Sequence, residues 1–145
     1  MNITLRPARS DDLEFSYKVT EDAMRGYVEQ TWGIWDPAFQ RKNHESSYHS
    51  GTHQVIVLEG IDAGILAVED HASHVQLLKL YLLTGARNKG IGSRLLIQLR
   101  QSAASMEKPV RLQTLAVNHA AQRFYLRHGF AVTSTTPGRV FMEAA

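Results

Sequence analysis

The sequence predicts an α+β protein: a mixed, mostly antiparallel central sheet of about seven strands flanked by four helices. Three observations carry that reading. Three β-rich runs follow one another between Thr52 and Leu83 across short loops, and runs of helical period lie on both sides of that block. A basic loop punctuated by glycine, "GARNKGIG", then joins the last of the three strands directly to a helix. At 145 residues, residues 1–145 are expected to form a single domain, since a second core would leave neither part enough apolar surface to bury.

The elements follow in order. "NITLRPA" alternates Ile3 and Leu5 with polar neighbours and stops at Pro7, a short strand. "SDDLEFSYKVTEDAMRGY" opens on the candidate N-caps Ser10 and Asp11. Glu14 completes a capping box with Asp11, and Leu13, Tyr17 and Met24 run along one face. A second helix begins at "WDPAFQRKNHESSYH", with Asp36 as cap and Pro37 in the first turn. "THQVIVLEG", "DAGILAVED" and "HVQLLKLYLL" read as strands joined by hairpin loops at Gly60-Ile61-Asp62 and His71-Ala72-Ser73. From Gly90 to Met106, the residues Ile91, Leu95, Leu99, Ala103 and Met106 form an apolar stripe, which Pro109 ends. "VRLQTL" is a strand and "NHAAQRFYLRHG" a short helix closed by Gly129. "FAVTS" and "RVFME" pair around Thr136-Pro137-Gly138.

Composition narrows the function. An apolar share of 43% and a charged share of 21% argue against disorder and fibrous repeats. No apolar run is long enough to span a bilayer and no secretory leader is visible, so a cytoplasmic protein is expected. Sixteen Lys and Arg against fourteen Asp and Glu give no general pull on nucleic acid, and Arg94, Arg100, Arg111, Arg123 and Arg127 scatter over two helices and a strand. His71-x-x-His74 and the group His44, His49 and His53 suggest metal ligands, but no cysteine and no tight carboxylate cluster accompanies them, so no metal is expected.

The glycine loop is the strongest functional signal. A strand that turns through glycines into a helix aims several backbone N–H groups and the positive end of the helix dipole at one spot, which suits a phosphate. Gly90 and Gly92 let the backbone approach an anion, Arg87 and Lys89 add charge, and Ser93 adds a donor. The loop lacks the Lys-Ser/Thr ending of a nucleoside triphosphate site and does not open a βαβ unit, which disfavours a dinucleotide.

Arg87-x-x-Gly90-x-Gly92 before a helix, followed by Asn118-x-x-Ala121-x-x-Phe124-Tyr125-x-x-x-Gly129-Phe130, resembles the GNAT superfamily of acyl-coenzyme A dependent N-acetyltransferases. The order of elements is similar over the whole chain. The resemblance implies acetyl-CoA as cosubstrate, no metal, and acetyl transfer to a primary amine in a ternary complex. The alternative is a module of the same fold that binds an acyl-CoA without catalysis. It implies that Arg87, Asn88, Lys89, Gly90, Ile91, Gly92 and Ser93 hold the pyrophosphate. Tyr81 and Leu82 would pair by their backbone with the pantetheine arm, along a strand splayed from "VRLQTL". Asn118 would lie beside that arm, or serve as a plain helix cap. Tyr125, rotated about 100° from the core-facing Phe124, is by resemblance the acid that protonates the leaving thiolate. A homodimer is expected by the same resemblance, paired through the C-terminal strands.

An attacking amine with a pKa of about 10.4 is mostly protonated at pH 7, a handicap of roughly 4 to 5 kcal/mol, so a base or a water path to one is required. Glu69, His71 and His74, around one hairpin, are the candidates, with Glu69 and His74 favoured. Many relatives place a Glu on the strand before the loop, where this chain has Lys79 in "LLKLYL". The aromatic-rich segment "MRGYVEQTWGIWDPAF" is expected to wall the acceptor. Tyr27, Trp32 and Trp35 offer ring faces and Glu29 a carboxylate to a peptide or small-molecule amine.

Overall fold

The computed structural model describes residues 1–49 and 51–145. Its elements are β1 (Ile3–Pro7), α1 (Leu13–Trp32), α2 (Pro37–Ser47), β2 (His53–Leu58), β3 (Ile61–Asp70), β4 (Val75–Leu82), α3 (Ile91–Ser105), β5 (Val110–Leu115), α4 (His119–Arg127), β6 (Ala131–Thr135) and β7 (Arg139–Ala144). Short 3-10 turns precede α1 and follow β4. The seven strands form one sheet in the order β1-β2-β3-β4-β5-β7-β6. The β1/β2, β2/β3, β5/β7 and β6/β7 pairs are antiparallel and β4/β5 is parallel. The expected seven strands and four helices are all present.

The chain divides into two compact units, residues 1–67 with 79–91, and residues 68–78 with 92–145. In the first, α1 is longer than its sequence pattern indicates and runs to Trp32. Gly33, at φ 90°, then ends it in a left-handed cap. Its start is fixed by Asp12, and not by an Asp11–Glu14 box. The Asp12 carboxylate takes both Arg6 guanidinium N–H groups at 2.7 and 2.9 Å and the Arg9 backbone N–H at 2.8 Å, while Glu14 pairs with Arg41. The Arg6 guanidinium holds the largely buried Asp12 carboxyl down at about 2. Arg6 also reaches Asp62, so one guanidinium ties β1, β3 and the entry to α1. Asp36 caps α2 through the Phe39 N–H, with Pro37 in the first turn, as expected.

Between β2 and β3 the turn is Glu59-Gly60, both at positive φ, so Ile61 and Asp62 belong to the strand. The register then shifts, because Ile56 faces Gly64 while Val57 faces Asp62, which leaves Ala63 as a bulge. The Ala63 carbonyl accepts the Leu83 N–H at 2.8 Å. A Cβ on neighbouring Gly64 would stand 2.2 Å from the Tyr81 carbonyl oxygen, so only glycine permits the backbone of β4 to lie so close.

In the second unit the β4/β5 ladder consists of Val75↔Val110 and Gln76↔Arg111, so it stops before Leu77 and Leu78. Buried Val110, Leu112 and Thr114 face Ala144, Met142 and Val140 across β5/β7, while β6 is an exposed edge. Along α3 the buried stripe is Ile91, Leu95, Leu96 and Ala103, with Leu99 half-buried. Met106 lies beyond the helix and is 43% exposed, because the chain has by then turned toward Pro109.

Replacing Gly64 with Ala forces the backbone of β3 away from Tyr81. The expected cost is about 2 to 4 kcal/mol of unfolding free energy, read as a lowered midpoint in urea at unchanged slope.

Candidate functional site

The loop after β4 is built by its own backbone and anchored by one arginine. The strand ends at Leu82, a 3-10 turn spans Thr84–Ala86, and Asn88 and Gly90 adopt φ of 61° and 77° before α3 starts at Ile91. Arg87 does not project freely. Its Nε donates to the Leu82 carbonyl at 2.8 Å and its Nη2 to Asp22 of α1 at 2.9 Å, so it braces the loop from within. Asn88, Lys89 and Gly90 are exposed and Ile91 is buried. Lys89 has no ion-pair partner among the described residues and is the loop's available cation.

Tyr81 and Leu82 lie at the end of β4 as the sequence indicates. Burial pushes the Tyr81 phenol up to about 12, which keeps it protonated. Of the aromatic segment, Tyr27 is half-buried near the end of α1, Trp32 is 55% exposed at its last position, and Glu29 pairs with Arg25 at 3.6 Å. Trp35 departs from expectation. It is 4% exposed and donates its indole N–H to the Tyr17 hydroxyl at 3.2 Å, so it fills the core where an acceptor wall was expected.

Behind Tyr17 lies a cluster that the sequence analysis did not assemble. Tyr17 of α1 meets His44 of α2 edge-on at 5.9 Å, and His44 meets His53 of β2 at 6.1 Å and Tyr48 at 5.7 Å. His44 Nδ1 lies 3.0 Å from the Lys79 Nζ of β4. His44 and His53 are 4% and 1% exposed, and the Nε2 of each has no hydrogen-bond partner among the described residues. Burial, helped by nearby Lys79, pushes His44 down to about 3 and His53 down to about 4. Burial alone pushes Lys79 down to about 8. The signal present in the sequence was Lys79 itself, a charge set at an inward position of an apolar strand.

The second unit holds the other candidates. Gly92 and Ser93 open α3. A Cβ on Gly92 would touch the Phe124 ring at 3.4 Å, and Ser93 Oγ hydrogen-bonds His128 Nε2 at 2.9 Å, so the start of α3 is fitted against α4. Asn118 caps α4 by accepting the Ala121 N–H at 3.1 Å. Tyr125 is half-buried, with its ring 5.2 Å from Phe124 and 5.5 Å from Phe130. Phe124 is itself half-buried, and not core, because its face serves Gly92 and His128.

Glu69, His71 and His74 come together at the β3/β4 turn, but with one another. Glu69 pairs with His71 at 3.2 Å, the His71 and His74 rings stack at 4.7 Å, and His74 Nδ1 meets Ser73 Oγ at 2.9 Å. They precede β4, whereas the glycine loop follows its last residue. Among the described residues no three His, Cys, Asp or Glu side chains gather as a metal site, and no helix is long and apolar enough to cross a membrane.

The sheet order, the bulged β3 and the glycine loop opening α3 define an α+β protein with a strand-to-helix loop suited to an anion. A family model described as an acetyltransferase (GNAT) domain matches residues 50–132, more than half of the chain, and the chain belongs to that family. Solved structures share the fold. The PaiA N-acetyltransferase of Thermoplasma acidophilum, in complex with coenzyme A, is 21% identical, with 99% of each chain covered and a TM-score of 0.78. The ribosomal-protein-S18-alanine N-acetyltransferase of Escherichia coli is 18% identical, covering 99% of this chain and 93% of that one, at 0.73. Arabidopsis thaliana Naa50, in complex with the bisubstrate analogue CoA-Ac-MVNAL, is 16% identical, covering 100% and 99%, at 0.65. A comparison with curated protein sequences gives no match.

The buried histidines set the acid limit of stability. Both hold folded pKa values below the ordinary 6.5, so the unfolded chain binds protons that the native state refuses. Their contribution is complete above about pH 6.5 and falls as the pH drops toward 4 and then 3, by up to about 1.4 kcal/mol per pH unit for each histidine. Urea unfolding at pH 7.5, 6 and 5 is expected to show this decline, with a shallower slope in His53→Gln. Asp12, held at about 2 against an ordinary 3.8, adds its own decline only below about pH 5 and leaves the slope between pH 7.5 and 5 unchanged.

Proposed function

We propose that this protein transfers the acetyl group of acetyl-CoA to a primary amine by direct attack in a ternary complex, with both compact units acting as one acyltransferase domain. The observation that carries the proposal is the loop Arg87–Ser93. Its left-handed turns at Asn88 and Gly90 free backbone N–H groups at the start of a 15-residue helix, Arg87 is spent on bracing, and Lys89 is left for an anion. A coenzyme A pyrophosphate fits that chemistry, and the coenzyme in the Thermoplasma acidophilum structure supports the choice.

In this reading the backbone at Tyr81 and Leu82 holds the pantetheine arm beside the Ala63 bulge, with Asn118 near it. Tyr125 returns a proton to the thiolate as the carbon–sulfur bond breaks. No cysteine exists to carry the acyl group, which favours direct attack. Tyr27, Glu29 and Trp32 on the last turns of α1 receive a cationic amine, on a peptide or a small molecule. Trp35 supports them from the core. The hairpin residues Glu69 and His74 serve their own surface contacts, and the proton acceptor is sought elsewhere. A cytoplasmic location and a homodimer joined through the exposed edge strand β6 complete the proposal.

Calorimetric titration with acetyl-CoA tests the loop. The wild type is expected to bind at micromolar level and Gly90→Glu at least tenfold more weakly, because the substitution strains a φ of 77° and adds negative charge. A wild type that does not bind removes the proposal. Tyr125→Phe is expected to keep binding and to lose about 10²-fold in kcat against a panel of primary amines. Unchanged turnover takes Tyr125 out of the mechanism. Coenzyme binding with no turnover on any amine makes the protein a non-catalytic acyl-CoA module.

A further inference from the structure

We propose that Lys79, held by His44, is the general base that takes the proton from the acceptor's ammonium group. This inference rests on the acetyl-transfer reading above. Lys79 and Tyr81 alternate onto the same face of β4, so the lysine stands two residues from the backbone assigned to the pantetheine arm. It is half-buried, and no carboxylate lies within ion-pair distance of it among the described residues. Its neighbour is the Nδ1 of a buried imidazole at 3.0 Å.

With the His44 proton assigned to Nε2, that geometry presents a lone pair. His44 is neutral, so with Nδ1 as acceptor it takes one N–H of Lys79 and turns the rest of the amino group away from itself. The groups packed around the pair are His44 and Arg41 from α2, Tyr17 from α1, Tyr48 after α2, and His53 from β2 with His49 before it. None is a carboxylate, and Arg41 is already paired with Glu14. The surroundings therefore disfavour a charge on Lys79, in keeping with its shift down to about 8. A base of that strength matches an ammonium better than a surface glutamate does.

The proton ledger closes. The acceptor ammonium gives one proton to the Lys79 amine, and the freed nitrogen forms its bond to the acetyl carbon. The carbon–sulfur bond breaks, and the thiolate gains the second nitrogen proton by way of Tyr125. Lys79 then returns its proton to solvent. His44 is a positioning residue that fixes the direction of the amine and never meets the substrate.

The test uses the full chain labelled at its five lysines with ¹³C and ¹⁵N. One side-chain resonance, assigned by its loss in Lys79→Met, is expected to titrate near pH 8. With the amine from the panel that turns over fastest, Lys79→Met and Lys79→Arg are expected to lose about 10²-fold in kcat and to bind acetyl-CoA within threefold of wild type. The acid limb of the kcat profile near pH 8 is expected to disappear in both. His44→Leu is expected to shift that limb and His44→Gln, which keeps an acceptor, to restore it. A Lys79 that titrates above pH 10, or variants that fold, bind and turn over as wild type does, overturn the inference alone. A wild type that binds no acetyl-CoA sinks the acetyl-transfer reading and this inference with it.

Discussion

The close approach of β4 to β3 at Gly64 is the constraint on which the first unit depends. Because residue 64 has no Cβ, the Tyr81 carbonyl sits where a methyl group would otherwise be. The bulge at Ala63 then aims a carbonyl at the Leu83 N–H, and the Leu82 carbonyl is free to take Arg87. Each bond fixes the next residue outward, from strand to 3-10 turn to glycine loop. A site built on a bulged, tightly apposed strand pair is held more firmly than one on a free loop.

Charge is distributed unevenly around this frame. Arg6, Arg41, Arg87, Lys108 and Arg111 each have a carboxylate within ion-pair distance, and most of these pairs are exposed enough to be worth about 1 kcal/mol or less. Lys79 is set apart, since among the described residues its hydrogen-bond partner is a histidine that burial keeps neutral. The difference separates cations that brace the fold from one whose proton is loosely held.

Much of the architecture was legible because its signals are local. Alternation marked the strands, Asp36-Pro37 and Asn118 marked helix starts, and Arg87-x-x-Gly90-x-Gly92 marked the loop. What escaped depends on partners distant in sequence. Asp12 outcompetes Asp11 at the start of α1 because Arg6 reaches it from β1. Trp35 is buried because Tyr17, a full helix away, offers a hydroxyl to its indole. The Lys79–His44 pair spans 35 residues, and only the folded chain brings α2, β2 and β4 to one point.

The same cluster explains why a less stable arrangement persists. A lysine moved from its ordinary 10.5 down to about 8 forfeits on the order of 3 kcal/mol at neutral pH, relative to one free to ionise at full strength. Two histidines whose Nε2 atoms have no partner among the described residues add a further cost of the kind that native interiors rarely carry. Leucine or methionine at these positions would remove both costs. A chain with only a few kcal/mol of net stability keeps such a group where its chemistry is used. Packing alone gives no reason for an amine at residue 79, whereas a reaction that begins by removing a proton from an ammonium group does.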